Sequence, residues 1–207
     1  MTYILIAFTA LISITAFNNQ NWFLKLQFNP YQVYYRREFY RLLTHGFLHA
    51  NWTHLIINML VLFFFGPHVE STLKSILGPE IQQWYRLIYL LFYFAAIIIA
   101  SLISLFRHKD DIWYNAVGAS GAVSAVIFFF IFFNPWEMLY FYGILPVPGI
   151  IMGALYLIYS QVMSRRGTDN VNHDAHLVGA LFGFLFPLII DYRLIGYFVD
   201  QLLSFSF

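Results

Sequence analysis

The chain contains no cysteine, and that absence removes disulfide frameworks, thiolate nucleophiles and Cys-ligated zinc or iron–sulfur clusters at once. Charge is nearly as scarce. Only 10% of the 207 residues are Asp, Glu, Lys or Arg, against 60% hydrophobic and 21% aromatic, whereas a soluble domain carries about 25% charged residues. So few charges cannot cover a solvated exterior, and most of the outer face must contact acyl chains. The net charge of +1 supplies no basic stripe for phosphates and argues against a nucleic-acid partner. His-Glu-x-x-His is also missing: Gly46, Ala50 and Leu55 follow the clustered histidines, so a metalloprotease site of that type is excluded and no metal is expected. No basic region precedes the first apolar run and no small-residue cleavage site follows it. That run therefore reads as a retained helix, not a signal peptide. With no room for an organelle transit sequence, a prokaryotic plasma membrane is the expected location.

What is present is a series of apolar runs. They predict an all-α integral membrane protein with six transmembrane helices in one domain over 1–207, at roughly 3–17, 51–66, 84–106, 116–133, 148–163 and 175–190. Spanning needs roughly 20 residues, so several of these are short, as expected where helix ends line a wet cavity. The connection 18–50 mixes Trp22, Phe23, Phe28, Tyr31, Tyr34 and Tyr35 with Lys25, Arg36, Arg37 and Arg41. Rings beside cations suit the headgroup level, so this loop is expected in the interface. The tail 191–207 is mixed in the same way and is expected along the opposite surface.

Polar groups inside such a chain are costly unless partnered or wet, and they fall in three clusters. His45, His49, His54 and Asn58 lead into the second helix; His54 and Asn58, four apart, share a face. Such groups also serve simply to bond local backbone or a neighbouring helix. Gly118-Ala119-Ser120-Gly121 opens the fourth helix. Small residues there permit close helix approach. A serine in a first turn also has unpaired amides and the positive dipole end beside it, which would stabilise an oxyanion formed by attack of Ser120 on a carbonyl. Ala175-His176-x-x-Gly179-x-x-x-Gly183 opens the sixth helix. Its two glycines, four apart, would press it onto the fourth helix and bring His176 to Ser120. The second, fourth and sixth helices all start from one side, so a nucleophile, a base and two spare donors share one depth.

Taken in order, His45-x-x-x-His49-x-x-x-x-His54-x-x-x-Asn58, Gly118-Ala119-Ser120-Gly121 and Ala175-His176-x-x-Gly179-x-x-x-Gly183 resemble the rhomboid family of intramembrane serine proteases over nearly the whole chain, in its compact six-helix form. The resemblance implies Ser120 as nucleophile and His176 as general base, with no cofactor. It implies an oxyanion site from His54, Asn58 and the Ser120 amide, a supporting role for His49, Gly118, Gly121, Gly179 and Gly183, and a structural role for Glu70. It implies transmembrane protein substrates met within the bilayer, and a site opening to the exterior.

Three departures accompany it. The family's Trp-Arg pair in the first loop is Tyr40-Arg41 here. The aromatic that relatives often carry four residues after the nucleophile is Ser124, and the third helix lacks a glycine found in many relatives. The charge pattern also pulls the other way on orientation. Lys25, Arg36, Arg37, Arg41, Arg107, Lys109, Arg165 and Arg166 lie on the site's side, which the positive-inside rule would make cytoplasmic; half of them sit in the first loop, and the family's orientation is preferred. Asp174, two positions from His176 and off its face, is not assigned to a triad. The loop 164–174 is a candidate cap, and the fifth helix, entered through Pro146 and Pro148 with Gly149 and Gly153, a candidate gate. Two other readings stay open: a haem electron carrier ligated by His54 and His176, which leaves Ser120 unexplained, and an inactive binding protein of the same fold.

Overall fold

Hydrocarbon offers no partner to a backbone N–H or C=O, so a chain this apolar must pair those groups within helices. The computed structural model describes residues 1–141, 144–166 and 171–204. In chain order these form α1 (Thr2–Phe17), α2 (Gln20–Leu26), α3 (Pro30–Arg36), α4 (Arg41–Thr44) with a 3₁₀ turn (His45–Phe47), α5 (Trp52–Ile76), α6 (Tyr85–His108), α7 (Ser120–Phe133), strands β1 (Met138–Phe141) and β2 (Leu145–Pro148), α8 (Gly149–Arg166), α9 (His173–Ile190) and α10 (Leu194–Leu203). Among the described residues three helical stretches are long and apolar enough to cross a membrane: Trp52–Ile76, Gln82–His108 and His173–Ile190. Thr2–Phe17 and Ser120–Phe133 are shorter apolar helices.

The central element is α7. Gly121 to Val126 and Phe128 to Phe133 are all buried along it, and it stops at Asn134-Pro135. A helix this apolar on every side must be enclosed by other helices, and α5, α6, α8 and α9 surround it. Its two ends pack differently. At the first, a Cβ on Gly179 would lie 2.1 Å from the Gly121 carbonyl oxygen and one on Gly183 2.0 Å from that of Ala125. Helices α7 and α9 therefore touch backbone to backbone, as the glycine spacing predicts. At the second end Phe129 packs against Phe92 and Phe133, while Phe132 meets Phe184 and Phe198, with ring centroids 5.1–5.6 Å apart. Those spacings suit tilted or offset aromatic pairs. Outward faces remain apolar: Ile56, Ile57, Leu60, Phe63 and Phe64 of α5 are each at least half exposed.

The predicted second helix, ending near Gly66, runs ten residues further, to Ile76. Gly66 and Pro67 read as a stop, but neighbours hold the helix through them. A Cβ at Gly66 would lie 2.5 Å from Thr2 Cγ2 and 2.8 Å from the Tyr89 hydroxyl. One turn on, Glu70 accepts from the Thr2 amide at 3.2 Å; packing against neighbours lets membrane helices tolerate such breaks. The predicted fourth helix starts at Ser120 and not Ala116, because Ala116 pairs with Phe28 in an antiparallel bridge and Gly118 has φ +126°. The chain is helical as expected, with one two-stranded hairpin among its described residues. Pro146 and Pro148 cannot continue a helix, and β2 pairs with β1 from Met138↔Pro148 to Phe141↔Leu145, where an edge strand tolerates proline.

Residues 18–50 are ordered by their own polar groups. The side chains of Asn19 and Asn29 cap α2 and α3, accepting from the amides of Trp22 at 3.1 Å and Gln32 at 2.8 Å. Arg41 is buried. Its Nη1 donates to the carbonyls of Leu24 and Gln27 at 2.9 and 2.8 Å, and its Nε to Glu38 at 2.6 Å. One cation of the basic excess in this segment is thus a structural tie. The tail forms α10 through Leu203, and 205–207 lie outside the described residues.

Candidate functional site

Ser120 is the first residue of α7 and His176 lies in the first turn of α9. The glycine contacts that draw α9 onto α7 set their separation: His176 Nε2 is 2.8 Å from Ser120 Oγ. Both are half-buried on a cavity of about 810 Å³ that His54, Asn58, Ser124 and Tyr156 also line. The four residues singled out at one depth are therefore brought together around one space.

The approach to Ser120 is held from the first loop. Phe28 and Ala116 exchange two backbone hydrogen bonds, both 3.0 Å, and the Gly118 amide donates to the His45 carbonyl at 3.0 Å. At φ +126° only glycine is comfortable, and the ring of His54 occupies the vacant side: a Cβ on Gly118 would meet His54 Cε1 at 2.5 Å and Nε2 at 2.9 Å. Gly118 thus serves two ends, the turn into α7 and the seat of His54. Ala119, at the N-cap of α7, makes no side-chain capping hydrogen bond, so the first-turn amides keep the positive end of the dipole facing the region of Ser120.

Hydrogen bonding sets the tautomers. Ser13 Oγ donates to the Phe47 carbonyl at 2.7 Å and lies 2.8 Å from His49 Nδ1. Its one proton is committed, so His49 Nδ1–H is the donor there. Similarly, His45 Nδ1 is 2.8 Å from the Arg41 carbonyl, which can only accept. Burial pushes His45 down to about 4 and His49 to about 3, so both are neutral. His49 and His54 meet edge to face at 4.9 Å. The Ala50 amide approaches His54 Nδ1 at 3.5 Å, leaving the proton on Nε2. Asn51 caps α5 by accepting from the His54 amide at 2.9 Å, and Asn58 Nδ2 donates to the His54 carbonyl at 2.9 Å; a second Asn58 N–H remains.

Asp174 faces elsewhere, accepting from Ser164 Oγ at 2.5 Å and pairing with Arg107. These contacts join the ends of α8, α6 and α9 beside the proposed cap, whose residues 167–170 lie outside the described residues. Asn172 caps α9 by accepting from the Ala175 amide at 3.1 Å, and Ser104 Oγ donates to it at 3.0 Å.

One neighbour escapes a reading of the sequence. Tyr156 of α8 stacks on His176 with centroids 6.1 Å apart and planes 21° apart, and its hydroxyl is 2.7 Å from Ser124 Oγ. The only local signal is a tyrosine inside an apolar helix and a serine at 124. Nothing in a single sequence joins positions 32 apart on different helices.

A family model described as Rhomboid domain matches residues 36–193, which include Ser120, His176, His54 and Asn58. Among curated proteins, "RHOMBOID-like protein 12, mitochondrial" of Arabidopsis thaliana is 29% identical over 155 residues, 67% of this chain and 43% of that protein. "Putative rhomboid protease YdcA" of Bacillus subtilis (strain 168) is 30% identical over 152 residues, 73% of this chain and 67% of that protein. "Rhomboid-related protein 1" of Caenorhabditis elegans is 27% identical over 179 residues, 82% of this chain and 45% of that protein. The chain thus spans less than half the length of the Arabidopsis and nematode relatives and two thirds of the bacterial one. With its matched region covering most of its length, the chain belongs to the rhomboid family of membrane-embedded proteins.

Proposed function

We propose that this chain is an intramembrane serine endopeptidase that cuts transmembrane segments of other membrane proteins through Ser120, His176 and an acyl-enzyme. The observation that carries the reading is the 2.8 Å contact between His176 Nε2 and Ser120 Oγ on a cavity reaching into the helix bundle. As Ser120 Oγ attacks the scissile carbonyl, its proton passes to His176 Nε2, which then delivers it to the leaving amine. Charge on the former carbonyl oxygen is met by the Ser120 amide, His54 Nε2–H and the free N–H of Asn58. Water entering the cavity then hydrolyses the ester, with His176 as base. Gly118, Gly121, Gly179 and Gly183 hold the backbones close enough for this geometry, and His49 supports His54.

On this reading α1, α5, α6, α7, α8 and α9 are six spans of a single membrane domain, the site opens to the exterior of a prokaryotic plasma membrane, and no metal, cofactor or nucleic acid takes part. Substrates carry a locally weak helix, because a peptide bond must leave its helical hydrogen bonds before attack, and they enter beside α8. The test is cleavage of a transmembrane substrate by the full chain in liposomes. The wild type cuts, and Ser120→Ala and His176→Ala each lose activity by roughly 10⁴-fold or more, as expected for members of one catalytic unit. Full activity in Ser120→Ala overturns the assignment.

A further inference from the structure

Helix α8 is less embedded than α5, α6 and α9, the other long helices around α7. Along its 18 residues only Gly149, Gly153 and Ser160 are buried, whereas α7 is buried almost throughout. It meets α7 through side chains and not backbone: a Cβ on Gly153 would stand 3.1 Å from Ile131 and 3.3 Å from Phe128, closer than an ordinary contact. Elements with few buried contacts open at low free-energy cost. Yet the same helix meets α9 through a short ladder of rings. Tyr156 lies over His176 at 6.1 Å, and Tyr159 meets His173 edge on at 5.6 Å. Tyrosines three apart on α8 thus face histidines three apart on α9, in antiparallel register. His173 in turn stands edge on to His176 at 5.8 Å, so the His176 ring has Tyr156 on one face and His173 at its edge. The far end of Tyr156 is tied to α7: its hydroxyl is 2.7 Å from Ser124 Oγ, one turn below Ser120. Serine at 124 leaves room for a ring arriving from a neighbouring helix, and its hydroxyl gives that ring an anchor.

We infer that Tyr156, anchored on Ser124, is a positioning residue for His176, and that the alignment of the base with Ser120 depends on α8 being docked against α7 and α9. A hydrogen bond at Nε2 does not by itself fix the plane of an imidazole ring, which can still swing about its side-chain torsions. A ring stacked on its face removes that freedom, and a misplacement of about 1 Å in a reacting group can cost on the order of 100-fold in rate. The inference rests on the proposed function, since it assigns Tyr156 a role in that same reaction.

The test uses the full chain in liposomes with a transmembrane substrate, following kcat and KM separately, the rate of Ser120 labelling by a fluorophosphonate and thermal unfolding. Tyr156→Leu is expected to lower kcat and the labelling rate together by roughly 10- to 100-fold with KM changed less than about twofold. Tyr156→Phe keeps the ring and loses the anchor, so it restores most of that rate. Ser124→Ala matches Tyr156→Phe, and the two combined are no worse than either alone, because both remove one hydrogen bond. If wild type cuts, Ser120→Ala does not, and Tyr156→Leu labels at the wild-type rate with unchanged kcat, the positioning role is overturned and the proposed function stands. Equal losses in Tyr156→Phe and Tyr156→Leu overturn it too, as does a fall in thermal stability that accounts for the whole loss. An inert wild type contradicts the proposed function itself.

Discussion

The two ends of α7 solve opposite problems. From Ser120 to Ala125 the side chains are small, and neighbouring backbones come within contact: Gly121 beneath Gly179, and Ala125 beneath Gly183. From Phe128 to Phe133 the helix is almost wholly phenylalanine and fills its surroundings with rings. In hydrocarbon apolar burial does not itself drive helices together, so close packing and polar pairing must do so. The small end uses nearness to hold His176 against Ser120 beside the cavity. The aromatic end uses volume. On the proposed reading the chemistry sits at the end where small side chains leave room for partners from α5 and α9.

Removing the nearness has the largest expected effect. In Gly183→Val the new branch collides with the Ala125 carbonyl, so α9 must move away from α7. Activity in liposomes is expected to disappear, and thermal unfolding to fall by a margin at the upper end of the 1–3 kcal/mol seen for overpacking; a stable, active Gly183→Val protein would break the comparison. Next comes Gly118→Ala, which puts a methyl group against His54 and a side chain at φ +126°. It should lower kcat by about 10²- to 10³-fold, the cost of losing one oxyanion donor, while substrate binding and helix content are retained. Phe132→Ala works at the other end. It should reduce stability by roughly 3–5 kcal/mol in a denaturation series, yet leave kcat per folded molecule near wild type.

The smallest effect concerns the polar supports before α5. His45 and His49 sit at about 4 and about 3 in the folded chain against an ordinary 6.5, because burial disfavours their charged forms. The unfolded chain therefore takes up protons that the folded one refuses. Their contribution is fully present above about 6.5 and is lost as pH falls toward 4 and then 3. His49→Asn keeps a donor to Ser13 but cannot titrate, so its melting temperature should decline less steeply between pH 6.5 and 4.

How much of this can be read from residues alone follows the range of the forces involved. Gly118 to Gly121 and Ala175 to Gly183 announce a close approach because helical spacing converts a local pattern into a face. Ser120 and His176 stand on those faces, and their pairing follows. Asn51 and Asn172 act on their immediate neighbours and are similarly readable, whereas Pro146 and Pro148, read as the entry to a helix, stand in a strand. What escapes is tertiary. Helix α5 runs through Gly66-Pro67 because Thr2 and Tyr89 pack on it, from sites far along the chain. Arg41 turns inward to three partners where its composition suggested a headgroup cation. Tyr156 reaches His176 from a helix whose facing is not marked by any periodicity, and Ser124, which looks like a missing aromatic, is the anchor for one.

The central claim is that the small end of α7 activates Ser120 through His176. Treating the full chain in liposomes with a fluorophosphonate and mapping the adduct by mass spectrometry tests it directly. The account predicts a single modified residue, Ser120, with labelling lost in Ser120→Ala and slowed by at least about 10³-fold in His176→Ala. An adduct elsewhere, or labelling of Ser120 that proceeds at the same rate without His176, would contradict it.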